Sequence, residues 1–366
     1  MDLSALQDKV FTSMDIYALR LLSGFSRAKF DFDLILLVNA NGYKLISKDF
    51  PQFECLILKE YNCNKKIWLF GVRFIYNAFC WIKTVNQSEC DLLYEPYTDI
   101  KKCWKVRLKK LQTIHDIYGE KVTSGFECVC YWFFTRMLLF TSDYFISISK
   151  FVQGEIEKKY FSKGKYIETI YNSLSVTEEN VNCLSLNCKY VLYVNTLFEY
   201  KNVITLIKAF NLIKNDISHS LVIVGRPTEY WNNVVLPYIQ ENELSDRVLL
   251  ISRYVSDGEL ASIYRHADLF VTTSLFEGFG YTPIEAAIYK VPVISSKEAA
   301  LFETTMGMLN YYEPVFDYSN LAYKMKEVLD FPPTQEVLSS VSIHFRQAYN
   351  IDLQVDRISC CIMKCL

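Results

Sequence analysis

The chain lacks a surplus of charge. Its 39 Lys and Arg stand against 41 Asp and Glu, a net charge of −2, so it has no electrostatic footprint for nucleic acid. It lacks the paired CxxC spacing of a zinc site: Cys128-x-Cys130 and Cys360-Cys361-x3-Cys365 have no His nearby, which argues against a metal. It has no signal peptide at its start, so its 12 Cys read as reduced cytosolic thiols rather than a disulfide framework. No GxGxxG follows a strand pattern, which argues against a dinucleotide dehydrogenase. There is no internal repeat and no low-complexity segment. The apolar run Ile67 to Ile82, flanked by Lys65, Lys66 and Lys83, falls short of the roughly 20 residues a membrane span requires. What is present is 366 residues, 51% hydrophobic and 15% aromatic. That is enough for two domains, with apolar surface left over for a partner or a membrane.

The most informative stretch runs from Leu269 to Ser296. Leu269 to Thr273 has the length and β-branched content of a strand. A loop with Gly278 and Gly280 follows. Thr282-Pro283-Ile284-Glu285 then predicts a helix with Thr282 as N-cap and Pro283 at its first position, ending near Lys290. Val291 to Ile294 is the next strand. Strand, glycine loop, helix and strand in an α/β protein place a ligand at a carboxyl strand end. Glycines admit an anion close to the backbone, and a helix start favours negative charge. Glu277 and Glu285 bracket the loop, and a carboxylate can take two hydroxyl hydrogen bonds from a sugar. Glu285 also fits the third position of a capping box with Thr282. Both readings stay open.

The string Glu277-Gly278-Phe279-Gly280-Tyr281-Thr282-Pro283-Ile284-Glu285 resembles the Glu-x7-Glu signature of retaining family-4 glycosyltransferases. The resemblance implies an α/β chain of the GT-B fold, two Rossmann-like domains facing across a cleft, with a C-terminal helix crossing back to the first domain. The expected division is 1–172 for the acceptor side, a linker at about 172–187, 188–345 for the nucleotide sugar, and 346–366 for the returning helix. The implied partners are a nucleotide diphosphate sugar donor and a glycan or lipid-linked acceptor. No cofactor and no metal are implied. The implied setting is the cytoplasm, in bacterial surface-polysaccharide assembly.

The rest of the chain supplies the other implied residues. Met1-Asp2-Leu3-Ser4 resembles the tail of a first strand. The loop after it has Thr12-Ser13-Met14-Asp15 where the family has glycines, and Thr12 or Ser13 could start the next helix. Asp33 to Asn39 and Phe53 to Leu58 are strand candidates, and Asp31-Phe32-Asp33 is a weak metal-type DxD. Residues 65–83 read as a core helix, an acceptor surface, or an in-plane helix whose basic flanks suit anionic lipid at the inner face of the plasma membrane. Val106 to Ile114 leads into His115-Asp116, which matches the family's His that contacts the transferred sugar. Phe126 to Leu139 reads as a very aromatic helix. Tyr190 to Val194 opens the second domain. Lys201 matches the cation that pairs with the diphosphate, while Asn195 and Thr196 stand where the family usually has Gly and Arg. Arg226, in the turn after Leu221 to Val224, is a substitute cation. Val248 to Ser252 is another strand candidate, and the backbone around Ser252 to Val255 is where the family touches the base. Val337 to Cys365 reads as helical.

The expected roles are therefore catalytic for Glu277, His115 and Lys201, and donor-binding for Glu285, Gly278, Phe279, Gly280, Tyr281, Arg226 and Ser252. The implied mechanism is front-face attack, with the departing phosphate taking the acceptor's proton. A GT-B epimerase and a non-catalytic nucleotide-sugar-binding subunit are the alternatives.

Overall fold

The computed structural model describes residues 1–6, 13–59, 70–99, 102–117, 119, 125–160, 165–176, 186 and 188–366. Thr12, the 65–69 part of the apolar segment and most of the 172–187 linker lie outside them. The chain divides into two units, Met1–Ser173 with Ile351–Leu366, and Leu174–Asn350.

In the first unit, β1 (Ile35–Asn39) pairs in parallel with β2 (Glu54–Leu58), and β3 (Leu92–Glu95), β4 (Lys109–Ile114), β5 (Tyr144–Ser147) and β6 (Tyr166–Thr169) form a four-stranded parallel sheet. The first residues join the two. Leu3 N–H donates to Leu37 O and Leu37 N–H to Met1 O, while Asp2 N–H donates to Tyr94 O. Met1–Leu3 thus acts as a short strand between β1 and β3, and the order becomes β2-β1-N-terminus-β3-β4-β5-β6. That is the doubly wound order, with its reversal at the N-terminal segment. Alternation along β1 sends Leu36 and Val38 to one face and Leu37 to the other. The first face packs with the Ser13–Phe25 and Ile351–Cys365 helices through Leu21, Leu22, Val355 and Ile358. The second packs with the Phe70–Gln87 helix through Trp81 and Val85.

The second unit repeats the design. Its parallel sheet has the order β12-β11-β10-β7-β8-β9, with β7 Tyr190–Val194, β8 Ser220–Val224, β9 Val248–Ile251, β10 Leu269–Thr272, β11 Val293–Ser296 and β12 Asn310–Tyr312. The order reverses between β7 and β10, which are neighbours. Val191, Tyr193, Leu221, Ile223 and Val271 bury one face under the Val203–Ile213 and Tyr318–Asp330 helices.

Three expectations need correction. β11 starts at Val293 rather than Val291, because Pro292 has no N–H to give a ladder. The helix after the glycine loop spans Tyr281–Ile288 with Gly280 as N-cap, so Thr282 lies inside the first turn. Pro283 is tolerated there because the first turn's N–H groups have no intrahelical partner. The 337–365 stretch is two helices, Gln335–Ala348 and Ile351–Cys365, broken at Tyr349-Asn350. The first of them stays with the second unit, where Ser342 Oγ donates to Ile288 O at 2.6 Å.

Candidate active site

The site is built where β7 and β10 end, at the strand-order reversal of the second unit. After β7 the chain makes a single 3-10 turn, Glu199–Lys201, and Asn202 turns it left-handed (φ 53°, ψ 35°) into the next helix. The Lys201 carbonyl accepts from Tyr193 Oη and from Thr273 Oγ1, each at 3.1 Å. Leu275 N–H donates to Tyr200 O at 2.9 Å. Two strand ends that are distant in sequence are thereby locked together before any charged side chain is considered.

On that frame Lys201 Nζ lies 2.7 Å from Glu277 Oε1. Asn195 Nδ2 donates to the same oxygen at 3.3 Å and to Ser274 Oγ at 3.4 Å. The Lys201 and Glu277 side chains are 9% and 15% exposed. They are desolvated enough to interact strongly and open enough to change partner. Lys201 also sits 5.0 Å from the Tyr200 ring centre.

The loop that follows is shaped by one glycine. Gly280 has φ +82°, and a Cβ there would lie 2.5 Å from Leu301 Cδ2. Only glycine meets both demands. The helix it opens has no side-chain cap, so its N–H ends and dipole are offered at the loop. Glu285, one turn into the helix, accepts from Tyr264 Oη at 3.1 Å. The capping box with Thr282 cannot form as expected, because Gly280 is the N-cap. The second carboxylate is instead oriented by a buried phenol.

The other expected residues fall in different places. Gly278 lies in the loop beside Glu277. Phe279 is buried, its ring 5.0 Å from Tyr281 and 5.1 Å from Tyr349. Its side chain belongs to the core, so only its backbone can meet a donor, and the half-buried Tyr281 ring packs on it. Arg226 and Ser252 are exposed, at the carboxyl ends of β8 and β9. The sheet order therefore puts Ser252, Arg226, Asn195 and Glu277 along one edge in sequence of strands. Arg226 has no ion pair among the described residues, so it does not join the Lys201–Glu277 pair.

His115 belongs to the first unit, at the end of β4. It is buried, with its ring 4.5 Å from Tyr17 in an edge-on contact. Nε2 lies 2.9 Å from Pro96 O. A carbonyl only accepts, so Nε2 carries the hydrogen, and Nδ1 is left as the acceptor of a neutral ring. Burial lowers the His115 pKa against the pull of the Pro96 carbonyl and of Asp116.

Sequence reasoning missed the supporting residues. Asn195 counted only as a departure, yet its amide braces Glu277. Tyr193, Tyr264 and Thr273 carry no local signal at all. It also missed a buried charge cluster in the first unit. Asp2 Oδ1 lies 2.8 Å from Lys102 Nζ and Oδ2 2.7 Å from Trp81 Nε1, and Lys110 Nζ lies 2.8 Å from Glu95 Oε2. Burial pushes the Asp2 carboxyl up, but Lys102 with Ser4 and Trp81 outweighs it and holds the group low. Burial pushes Glu95 up to about 7 despite Lys110. No three His, Cys, Asp or Glu side chains converge among the described residues, and Asp31 and Asp33 stand exposed ahead of β1.

Two doubly wound parallel sheets in one chain, the second carrying a glycine-loop corner at its reversal, define the GT-B class of glycosyltransferase folds. Solved structures agree: sucrose-phosphate synthase from Thermosynechococcus elongatus has a TM-score of 0.74 at 19% identity, over 97% of this chain and 94% of that one. Anabaena HepE in complex with UDP and glucose has 0.70 at 15%, over 98% of each. Residues 178–341 match the family described as glycosyl transferases group 1. The chain is similar to the O-antigen chain mannosyltransferase RfbU of Salmonella typhimurium, 29% identical over 203 residues, 55% of this chain and 56% of that protein. It is also similar to the mannosylfructose-phosphate synthase of Agrobacterium fabrum, 29% identical over 43% of this chain and 36% of that protein. The chain spans about half or less of the curated relatives it matches.

Proposed function

We propose that the protein is a retaining, metal-independent glycosyltransferase that moves a sugar from a nucleotide diphosphate sugar to a glycan or lipid-linked acceptor in bacterial surface-polysaccharide synthesis. The observation that carries this reading is the Lys201–Glu277 pair beside the Gly278–Gly280 loop, at the reversal point of a group 1 domain. The names of the O-antigen relatives support the setting, and the UDP complexes of HepE support a nucleotide donor.

In this reading the incoming diphosphate takes over Lys201 from Glu277, and the released carboxylate accepts hydroxyls of the donor sugar. Glu285, aimed by Tyr264, accepts from the ribose. The bond from the sugar carbon to the phosphate oxygen breaks as the acceptor oxygen bonds to the same face. The acceptor's proton passes to the departing phosphate oxygen. Lys201, the loop amides and the helix start stabilise the charge left on that phosphate, usually the largest catalytic contribution. A panel of nucleoside diphosphates tested for thermal stabilisation identifies the donor, since binding raises stability by mass action. No stabilisation by any of them overturns the reading. Transfer to no acceptor in spite of binding would favour a non-catalytic subunit, and donor turnover without acceptor an epimerase.

A lipid-facing surface on the described part of the 65–83 segment, residues 74–83, is part of the proposal. In the Phe70–Gln87 helix, Trp81 and Val85 are buried, while Ile75, Tyr76 and Phe79 face out, with Ile75 67% exposed. Lys83 is also exposed. An apolar stripe beside a cation suits an in-plane contact with anionic lipid at the cytoplasmic face of the plasma membrane. No helix among the described residues is long and apolar enough to cross a membrane. Co-sedimentation with phosphatidylglycerol vesicles, lost in Ile75→Ser/Phe79→Ser, checks it. Equal sedimentation of that variant would contradict it.

A further inference from the structure

A cavity of about 320 Å³ opens in the second unit beside the Glu199–Lys201 turn. Glu199 and Asn202 line it, while Lys201 between them does not. It is thus distinct from the Lys201–Glu277 corner, although it shares that corner's backbone. Its walls hold three aromatic rings, Tyr230, Phe316 and Tyr318, with one carboxylate, Glu199, and one ammonium, Lys208. The volume is at the small end of ligand sites.

The frame of the cavity is rigid. Asn202 Oδ1 accepts from Thr205 Oγ1 at 2.9 Å, and its Nδ2 donates to Val315 O at 3.3 Å. The turn is thereby tied to the segment that presents Phe316 and Tyr318. Lys208 Nζ lies 5.8 Å from the Tyr318 ring centre. Phe316 is 64% exposed and Tyr318 40%. Glu199 and Lys208 have no ion-pair partner among the described residues. Two exposed rings and two charges of opposite sign thus gather around one small hollow.

The lining selects a ligand class. A guest anion would meet Glu199, a guest cation would meet Lys208, and a wholly apolar guest would leave both heads desolvated without a bond. A pyranose meets every group. Its C–H face packs on an aromatic ring, its hydroxyls donate to the carboxylate, and its oxygens accept from the ammonium. We propose that this cavity is a second sugar site, binding one neutral hexopyranose unit apart from the donor. That this sugar belongs to the acceptor glycan rests on the glycosyltransferase reading; that the cavity binds a sugar does not. Leu275 also lines the cavity, two residues before Glu277 and bonded through its N–H to Tyr200. The occupant therefore bears on the backbone that sets both members of the donor corner.

The test is saturation-transfer NMR on the full chain. The probes are the methyl pyranosides of mannose, glucose and galactose, and mannotetraose, each with and without saturating nucleoside diphosphate. At least one sugar binds the wild type in both conditions. Phe316→Ala and Glu199→Gln each weaken that binding by about tenfold, the scale of a lost stacked ring or charged hydrogen bond, and leave stabilisation by nucleoside diphosphate unchanged. Both side chains are exposed, so both variants fold. No transfer to any of the four sugars, binding unchanged in both variants, or displacement by the nucleoside diphosphate overturns the proposal. Sugar binding of this pattern in a protein that no nucleoside diphosphate stabilises would instead sink the donor reading and leave the cavity standing.

Discussion

The two units share one strand order over six strands, the first adding a seventh at its edge, and each sets ammonium–carboxylate pairs at the reversal of its sheet. They treat those pairs in opposite ways. In the first unit Asp2 and Lys102 are 0% and 8% exposed, and Glu95 and Lys110 are 3% and 0% exposed. Asp2 takes hydrogen bonds from Ser4, Trp81 and Lys102, which leaves it nothing to offer a ligand. In the second unit Lys201 and Glu277 are a little more open, and a glycine loop and an uncapped helix start stand beside them. A sealed pair holds a fold in register. A pair at an open corner can trade its internal partner for a ligand. Topology fixes where such a corner forms, and the local residues decide whether it closes: an indole in one unit, a left-handed glycine in the other.

The sharpest way to break this comparison is to remove one member of each pair. Asp2→Ala leaves the buried Lys102 ammonium with only the more distant Asp99 carboxylate, 3.9 Å away, and destabilises the first unit by about 3–5 kcal/mol, read as a lowered denaturant midpoint. Unfolding is followed by two probes, since a chain of two units need not unfold in one step. Glu277→Ala and Lys201→Ala each cut turnover by about 10²-fold or more, the scale of a lost charged transition-state contact. They move the midpoint less than Asp2→Ala does. Near-wild-type turnover in both variants would show the open pair to be structural as well.

Gly280→Ala forces a side chain into φ +82° and against Leu301. It lowers stability by about 1–3 kcal/mol and weakens nucleoside diphosphate binding, both measurable by thermal shift. The same substitution at Gly154, where a Cβ would meet nothing within 4 Å, is the control. The smallest effect concerns His115. Burial lowers its pKa from 6.5, so below that pH the native state binds fewer protons than the unfolded chain, and stability falls as pH falls. Above pH 6.5 its contribution is fully present. His115→Gln flattens this acid limb of the melting-temperature profile between about pH 5 and 7.5. An unchanged limb would mean that the His115 pKa does not differ between the folded and unfolded chain.

Much of the second unit was legible because its signals are local. Strands of β-branched residues, two glycines and a Glu-x7-Glu spacing all lie within Leu269 to Ser296, and Lys201 follows its strand closely. What was lost there was fine geometry. Thr282 before Pro283 reads as a cap, but a glycine in the left-handed region starts the helix two residues sooner. Phe279 sits in the loop by sequence and in the core by packing. The first unit was harder, because its organising contacts are long-range. Asp2 meets Lys102 and Trp81 across many residues, and no window of sequence records that meeting. The N-terminal segment read as a strand tail, and three backbone bonds to its neighbours make it an interior strand that joins β1 to β3.

The most direct test of the central claim is a crystal structure with the stabilising nucleotide diphosphate sugar bound. The account predicts a phosphate oxygen within about 3 Å of Lys201 Nζ, as in a charge-assisted hydrogen bond, with Glu277 turned from Lys201 to the sugar hydroxyls. A donor seated elsewhere, with Lys201 and Glu277 still paired as they are in the free protein, would contradict it.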